Sequence, residues 1–158
     1  MKKCLLIVLV VLLLLSLAAC KQEKELTFTF DQAVTDCQGL QVSAASTWEE
    51  EQLKLMLRMH NDTEQFVFFG SRFVVEREEN GQWVQCQMRE GVAWSDIGYF
   101  LEPGKSREDV YYVAFCYAID EPGQYRFQMG LNLSEKTDMV GLNPDGDYKV
   151  IVEFTVDK

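Results

Sequence analysis

The sequence predicts an all-β antiparallel fold, a sandwich or barrel of seven to nine short strands, and three observations carry this. From Glu25 onward apolar residues recur mostly at every second position, the pattern of half-buried strands. Turn-forming pairs such as Asn80-Gly81, Pro103-Gly104 and Pro122-Gly123 separate those runs. No stretch after Cys20 sustains a helical repeat.

The first segment sets the location of everything after it. Lys2 and Lys3 give a basic start, Cys4 to Ser16 is almost unbroken Leu, Val and Ile, and the run closes on Leu17-Ala18-Ala19-Cys20. Charge, apolar run and small residues before a cut are the parts of a secretory signal. The ending resembles a bacterial lipobox. That resemblance implies a signal helix at 1–19 that is removed, a lipid on Cys20, a short tether over 20–25 and one domain over 26–158. An uncleaved membrane helix and ordinary cleavage are the alternatives. The run between Lys3 and Lys21 is shorter than the roughly 20 residues a spanning helix usually needs, though inside the permissive range, and a plain anchor has no reason to place Ala-Ala-Cys at its outer end. All three leave the domain outside the membrane, because Lys2 and Lys3 hold the start in the cytoplasm.

Beyond the tether, Leu26, Phe28 and Phe30 alternate with Thr27 and Thr29, and Leu40, Val42 and Ala44 resume the pattern after a polar break. Leu53, Leu55, Leu57 and Met59 face one way along the next run, with Lys54, Met56, Arg58 and His60 on the other. Phe66 to Phe69 and Arg72 to Arg77 form a long strand bent at Gly70-Ser71. Asn80-Gly81 turns it back into Trp83 to Met88. Gly98 to Leu101 leads into the Pro103-Gly104 turn. Asp109 to Ile119 is apolar on both faces and is expected as one interior strand. Tyr125, Phe127, Met129, Leu131 and Leu133 alternate without a break, and Val150, Val152, Phe154 and Val156 close the chain. Between them, Ser134 to Tyr148 is long for a hairpin loop.

Glu121-Pro122-Gly123-Gln124-Tyr125 chooses the sandwich. It resembles a tyrosine corner, in which the phenol bonds back to upstream backbone. In antibody domains a cysteine follows that Tyr by two; here Phe127 stands there, with Leu55 or Leu57 offered opposite, so apolar packing replaces the disulfide. Asn61-Asp62-Thr63, Gly70, Glu76, Asn80-Gly81-Gln82-Trp83, Leu101-Glu102-Pro103-Gly104 and Pro122 to Arg126 together resemble a bacterial immunoglobulin-like domain of Firmicutes surface lipoproteins. The resemblance spans roughly Leu40 to Leu133. It implies an immunoglobulin-like antiparallel β-sandwich in an anchored, secreted setting, and it brings no catalytic residues. A looser similarity is to the bacillar intracellular proteinase inhibitors, although a secretion signal departs from that family's location.

Composition narrows the partners. The chain of 158 residues has 15 basic and 25 acidic side chains, a net charge of −10, and removing the signal takes two more lysines. Such a surface repels nucleic acid and anionic headgroups. Of five cysteines, Cys37, Cys86 and Cys116 remain after the signal and Cys20, so one disulfide at most can form.

Motifs for chemistry are missing. The one histidine, His60, has no ligands at metal spacing and reads as a surface residue. There is no Gly-x-Ser-x-Gly elbow and no Cys-x-x-Cys, so no catalytic, cofactor-binding or metal residue is assigned. Asn143-Pro144-Asp145-Gly146-Asp147, with Asp138 nearby, has oxygen ligands but lacks the EF-hand acidic residue, and a Pro-Asp-Gly turn explains it. Asn61-Asp62-Thr63 and Asn132-Leu133-Ser134 fit the glycosylation pattern and read here as a turn and a strand end. Trp48 and Trp94, each beside carboxylates, either cover the core or offer a face to a sugar or a protein. The expectation is a lipid-anchored, extracytoplasmic module at the bacterial cell membrane, non-catalytic, holding a protein partner of the envelope through end loops or a sheet edge. The alternative is a cell-surface protease inhibitor presenting Ser134 to Tyr148 or Glu90 to Ile97.

Overall fold

Alternation along each strand decides which side chains meet across the sandwich. The computed structural model describes residues 26–49, 52–137 and 140–157. The signal at 1–19, Cys20, the tether over 21–25, Asp138 and Met139 lie outside the described residues. Among the described residues no helix is long and apolar enough to cross a membrane.

Among the described residues eleven strands form two antiparallel sheets: β1 (Thr27–Phe30), β2 (Val34–Thr35), β3 (Leu40–Glu49), β4 (Gln52–Asn61), β5 (Phe66–Gly70), β6 (Val74–Glu79), β7 (Gln82–Gln85), β8 (Gly98–Leu101), β9 (Ser106–Tyr111), β10 (Gly123–Ser134) and β11 (Tyr148–Asp157). The larger sheet runs β1-β11-β10-β5-β8, with β2 also on β11, β6 also on β10, and β7 on β6. Thus β1 and β2 share one lane, β5 and β6 a second, and β7 and β8 a third, giving five lanes. The smaller sheet is β3-β4-β9. Its three lanes bring the total to eight, inside the expected seven to nine.

The inward residues are those the alternation selects. Leu55, Leu57 and Met59 of β4, Phe127 and Leu131 of β10, and Val150, Val152, Phe154 and Val156 of β11 have no exposed surface. Leu55, Leu57 and Phe127 lie in one core cluster, so apolar packing does occupy the place of the antibody disulfide. The Asn80-Gly81 turn is left-handed at both residues (φ 55° and 84°), the form that matches strand twist. The Gly81 N–H is held by the Glu78 carboxylate. The predicted bend at Gly70-Ser71 is where β5 gives way to β6.

Two expectations are corrected. Asp109 to Ile119 is not one strand: β9 ends at Tyr111, and Val113–Cys116 is a single helical turn, α1. A continuous apolar run satisfies both periods, and three-dimensional contacts decide between them. Here Val113, Cys116 and Tyr117 sit at helical spacing and are buried, while Phe115 points out at 58% exposure. Arg89 holds this turn. Its Nε donates to the carbonyls of Ala114 (3.0 Å) and Tyr117 (3.2 Å), and its Nη2 pairs with Asp120 at 2.7 Å. Those carbonyls are the orphan acceptors of a helix end. Secondly, the strand expected over Trp83 to Met88 stops at Gln85, and only a single bridge joins Met88 to Tyr117.

The tyrosine corner is present. The Tyr125 hydroxyl donates to the Glu121 carbonyl at 2.8 Å, and its ring, 1% exposed, stacks on Phe154 at 5.5 Å. Arg77 closes the corner from outside, pairing with Glu121 (2.5 Å) and donating to the Pro122 carbonyl (3.2 Å). Removing only the phenol oxygen leaves that carbonyl unpaired in a partly buried place. Tyr125→Phe is expected to lower stability by about 1–2 kcal/mol. The readout is a lower urea midpoint at unchanged slope.

Candidate functional site

The site is organised by β8, whose four residues point alternately to two different surfaces. Gly98 to Leu101 pairs with β5 and, among the described residues, with no strand on its other side. Tyr99 and Leu101 face inward, Leu101 fully into the core, while Phe100 faces out and is 45% exposed.

On the outer side, Phe100 joins Phe66 and Phe68 of β5, each ring 5.9 Å from the Phe100 ring. Ile97, just before β8, is 56% exposed. Phe68 itself is buried. The result is an aromatic patch beside an edge strand of the larger sheet.

On the inner side a pocket of about 270 Å³ opens between β8 and β9, the facing edges of the two sheets. Trp94, Tyr99, Tyr111, Tyr112 and Phe115 line it, with Asp109 as its carboxylate. Each element delivers its residue for a local reason. Asp109 and Tyr111 lie two apart on β9 and so share its inward face. Tyr112 immediately precedes the helical turn and Phe115 lies within it. Trp94 comes from the loop after β7 and packs its ring 4.8 Å from Phe73, so it both covers the core and lines the pocket.

Charges are already paired around this pocket. Arg107 clasps Asp109 in a two-pronged pair, both bonds 2.7 Å, and its guanidinium lies 4.4 Å over the Tyr99 ring. The hydrogen bond to Asp109 raises the already high pKa of Arg107. Lys54 Nζ lies 5.0 Å over the Tyr112 ring. Trp94 Nε1 and the Tyr99 and Tyr112 hydroxyls have no hydrogen-bond partner among the described residues.

Other residues singled out by the sequence fall elsewhere. His60, expected as an ordinary surface residue, is 2.8 Å through Nδ1 from Ser106 Oγ and 2.9 Å through Nε2 from Asp62. The trio has the composition of a hydrolase relay. It lies on the exposed face of the β4-β9 pair, with Asp62 45% exposed and also taking a bond from Gln41. Sequence spacing hid it because Ser106 reaches His60 only through strand register.

Asn61 is fully buried: its Nδ2 donates to the carbonyls of Gln65 and Leu101, and its Oδ1 accepts from Thr63. That supports the turn reading over a glycosylation site. Asn132, the other such asparagine, is buried within β10, just short of its end, with Nδ2 on the Asn143 carbonyl. The Asn143–Asp147 turn spends its polar groups on itself: Asn143 Oδ1 accepts from Asp145 N–H, and Nδ2 donates to Gly146 and Asp147. Within the long loop, Leu142 is half-buried and Val140 is 87% exposed. β3 runs through Trp48, but the Trp48 side chain lies outside the described residues.

Residues 37–158 match the profile of a family described as bacterial Ig-like domain. No curated protein matches the chain.

Burial fixes the chemistry of the thiols and phenols. Cys37, Cys86 and Cys116 are free. Removal from water pushes the Cys86 thiol up to about 11, and raises Cys37, Cys116, Tyr111, Tyr117 and Tyr125 as well. The unfolded chain loses thiol protons near 9.0, before the folded chain does, so above that pH it binds fewer protons and stability falls. Urea midpoints are expected to be independent of these groups below pH 9 and to decline as pH rises from 9 through 11. Cys86 is expected to react with a thiol reagent at pH 8 only slowly until urea unfolds the chain.

Proposed function

Because the chain belongs to the bacterial Ig-like domain family, we propose that it acts by binding and not by catalysis, as a lipid-anchored module on the outer side of the bacterial membrane. An Ig-like domain is in general a binding or interaction module. The anchoring rests on the sequence: the basic start, the apolar run and Leu17-Ala18-Ala19-Cys20 resemble a lipobox, which makes Cys20 the lipidated residue and the lipid the contact with the membrane. Diacylation provides two chains, the number needed for stable anchoring.

The β8 edge supports a protein partner in the envelope more than any other feature. Sheet edges are normally blunted by lysine, proline or an inward charge. Gly98-Tyr99-Phe100-Leu101 contains none of these, and exposed Phe100 and Ile97 stand beside it. An extended segment of the partner adds to this edge by main-chain hydrogen bonds, with Phe100 as the anchor.

The chemistry of the His60 trio does not compete with this reading. A catalytic relay works in a water-excluded site with donors aimed at a developing charge. His60, Ser106 and Asp62 line none of four pockets of about 560, 440, 310 and 270 Å³ among the described residues.

The test uses the full-length protein, tagged at its C-terminus and recovered from detergent-solubilised envelope. Wild type is expected to bring down one envelope protein near stoichiometry, and Phe100→Lys, a change at an exposed position, is expected to lose it at least about tenfold. Labelled fatty acid is expected on the wild type and not on Cys20→Ala. Recovery of no protein above the Phe100→Lys background would refute the partner, and label retained on Cys20→Ala would refute the anchor. A protease as the captured protein would specify the function as inhibition.

A further inference from the structure

We propose that the pocket between β8 and β9 binds a neutral sugar ring, one pyranose unit of a glycan outside the cell. This goes beyond the protein partner at the β8 edge and rests only on the chain being an extracytoplasmic binding module. The inference starts from what lines the pocket. Trp94, Tyr99, Tyr111, Tyr112 and Phe115 supply aromatic surface, and Tyr112 and Phe115 are 42% and 58% exposed. Trp94 and Phe115, over which no cation lies among the described residues, can take the C–H side of a pyranose, while the polar tips of Tyr and Trp remain available for hydroxyls. At about 270 Å³ the pocket is at the small end for ligand sites, which suits one ring better than an extended chain.

Charge selects the ligand's class. An aromatic cage for a cation needs vacant ring faces and an unpaired negative charge. Here Arg107 already sits over Tyr99 and occupies both oxygens of Asp109, and Lys54 already sits over Tyr112. A second cation would meet two others. An anion would meet Asp109 on a chain of net charge −10. The ligand is therefore neutral.

Hydrogen-bonding capacity separates a sugar from an apolar side chain of a protein. Trp94 Nε1 and the Tyr99 and Tyr112 hydroxyls have no partner among the described residues. An apolar occupant would take them out of water without replacement, which costs binding energy at each. A pyranose supplies donors and acceptors to all three. The carboxylate of Asp109 keeps lone pairs beyond those used by Arg107 and can accept a sugar hydroxyl.

The experiment is calorimetric titration of the full-length protein, held in a polyoxyethylene detergent that contains no sugar, with chitotetraose, cellotetraose, maltotetraose and mannotetraose. At least one is expected to bind. Tyr112→Ala, at an exposed position that the core does not need, is expected to weaken it about tenfold. Trp94→Phe keeps a ring in contact with Phe73 and removes the N–H donor, and it is expected to weaken binding as well. Phe100→Lys, on the opposite side of β8, is expected to leave sugar binding unchanged. Failure of all four sugars to bind, or binding that survives both Tyr112→Ala and Trp94→Phe, would overturn the proposal. So would saturation of the pocket by a short phenylalanine-containing peptide in place of any sugar. None of those results touches the Phe100-dependent capture of an envelope protein, so the two readings fail separately.

Discussion

β10 is the strand on which every other part of this domain depends. It pairs along nearly its whole length with β11 on one side, and with β6 and then β5 on the other. Its inward residues, Tyr125, Phe127, Met129 and Leu131, are almost wholly buried. One strand thus sets both the register of the larger sheet and the floor of the core. The tyrosine corner fixes where it starts, since the Tyr125 hydroxyl ties the strand to the turn that precedes it. Gly130 fixes its middle, because the Asp145-Gly146 backbone crosses so close that a Cβ there would collide with the Asp145 carbonyl. Asn132 then holds the far side of the same loop through the Asn143 carbonyl. The long connection to β11 is therefore pinned at its end, although it looks irregular in sequence.

Much of this was legible because it is local. Period-two alternation marks β4, β10 and β11, where one face is buried and the other is not, and the glycine-containing turns mark where the strands end. The family resemblance rested on those same turn and core residues, and the match over 37–158 agrees with it. β1 and β2 begin before that match; β1 is the strand that the alternation from Leu26 marked, while the short β2 and the pairing of both with β11 had no local signal. The failures are where local signals are degenerate or contacts are distant. Residues 110–119 are apolar at every position, so no period stands out, and burial of Val113, Cys116 and Tyr117 in a helical turn wins. Arg89 gave no sign of being that turn's clamp, because its partners lie about 25 to 31 positions away. The His60 trio was hidden for the same reason.

The candidate site follows from a mismatch between the two layers. A sheet of five lanes faces one of three lanes, so the smaller cannot cover the larger to both edges. The uncovered part near β7 and β8 needs other cover, since leaving Phe73 and Tyr99 in water forfeits hydrophobic burial. The loop carrying Trp94 and the turn carrying Phe115 provide that cover in pieces. Neither piece is a regular element with a flat packing face, and the space left between them and β9 is the aromatic pocket. This explains why no motif announced the site: its residues were recruited first as cover for an edge.

That origin also separates the roles of neighbouring aromatic residues. Phe73, Tyr111, Tyr117 and Phe127 are close-packed with one another, and Tyr117 and Tyr111 spend their hydroxyls inside the protein, on the Phe73 carbonyl and on the Met129 sulfur. The hydroxyls of Tyr111 and Tyr117 are satisfied, so they offer no hydrogen bond to a ligand. Trp94, Tyr99 and Tyr112 are less buried, and their polar ends find no partner among the described residues. They are not buried unpaired groups, so water satisfies them and no desolvation cost is incurred. Tyr and Trp at such positions combine cover for the core with a polar end that stays in solvent.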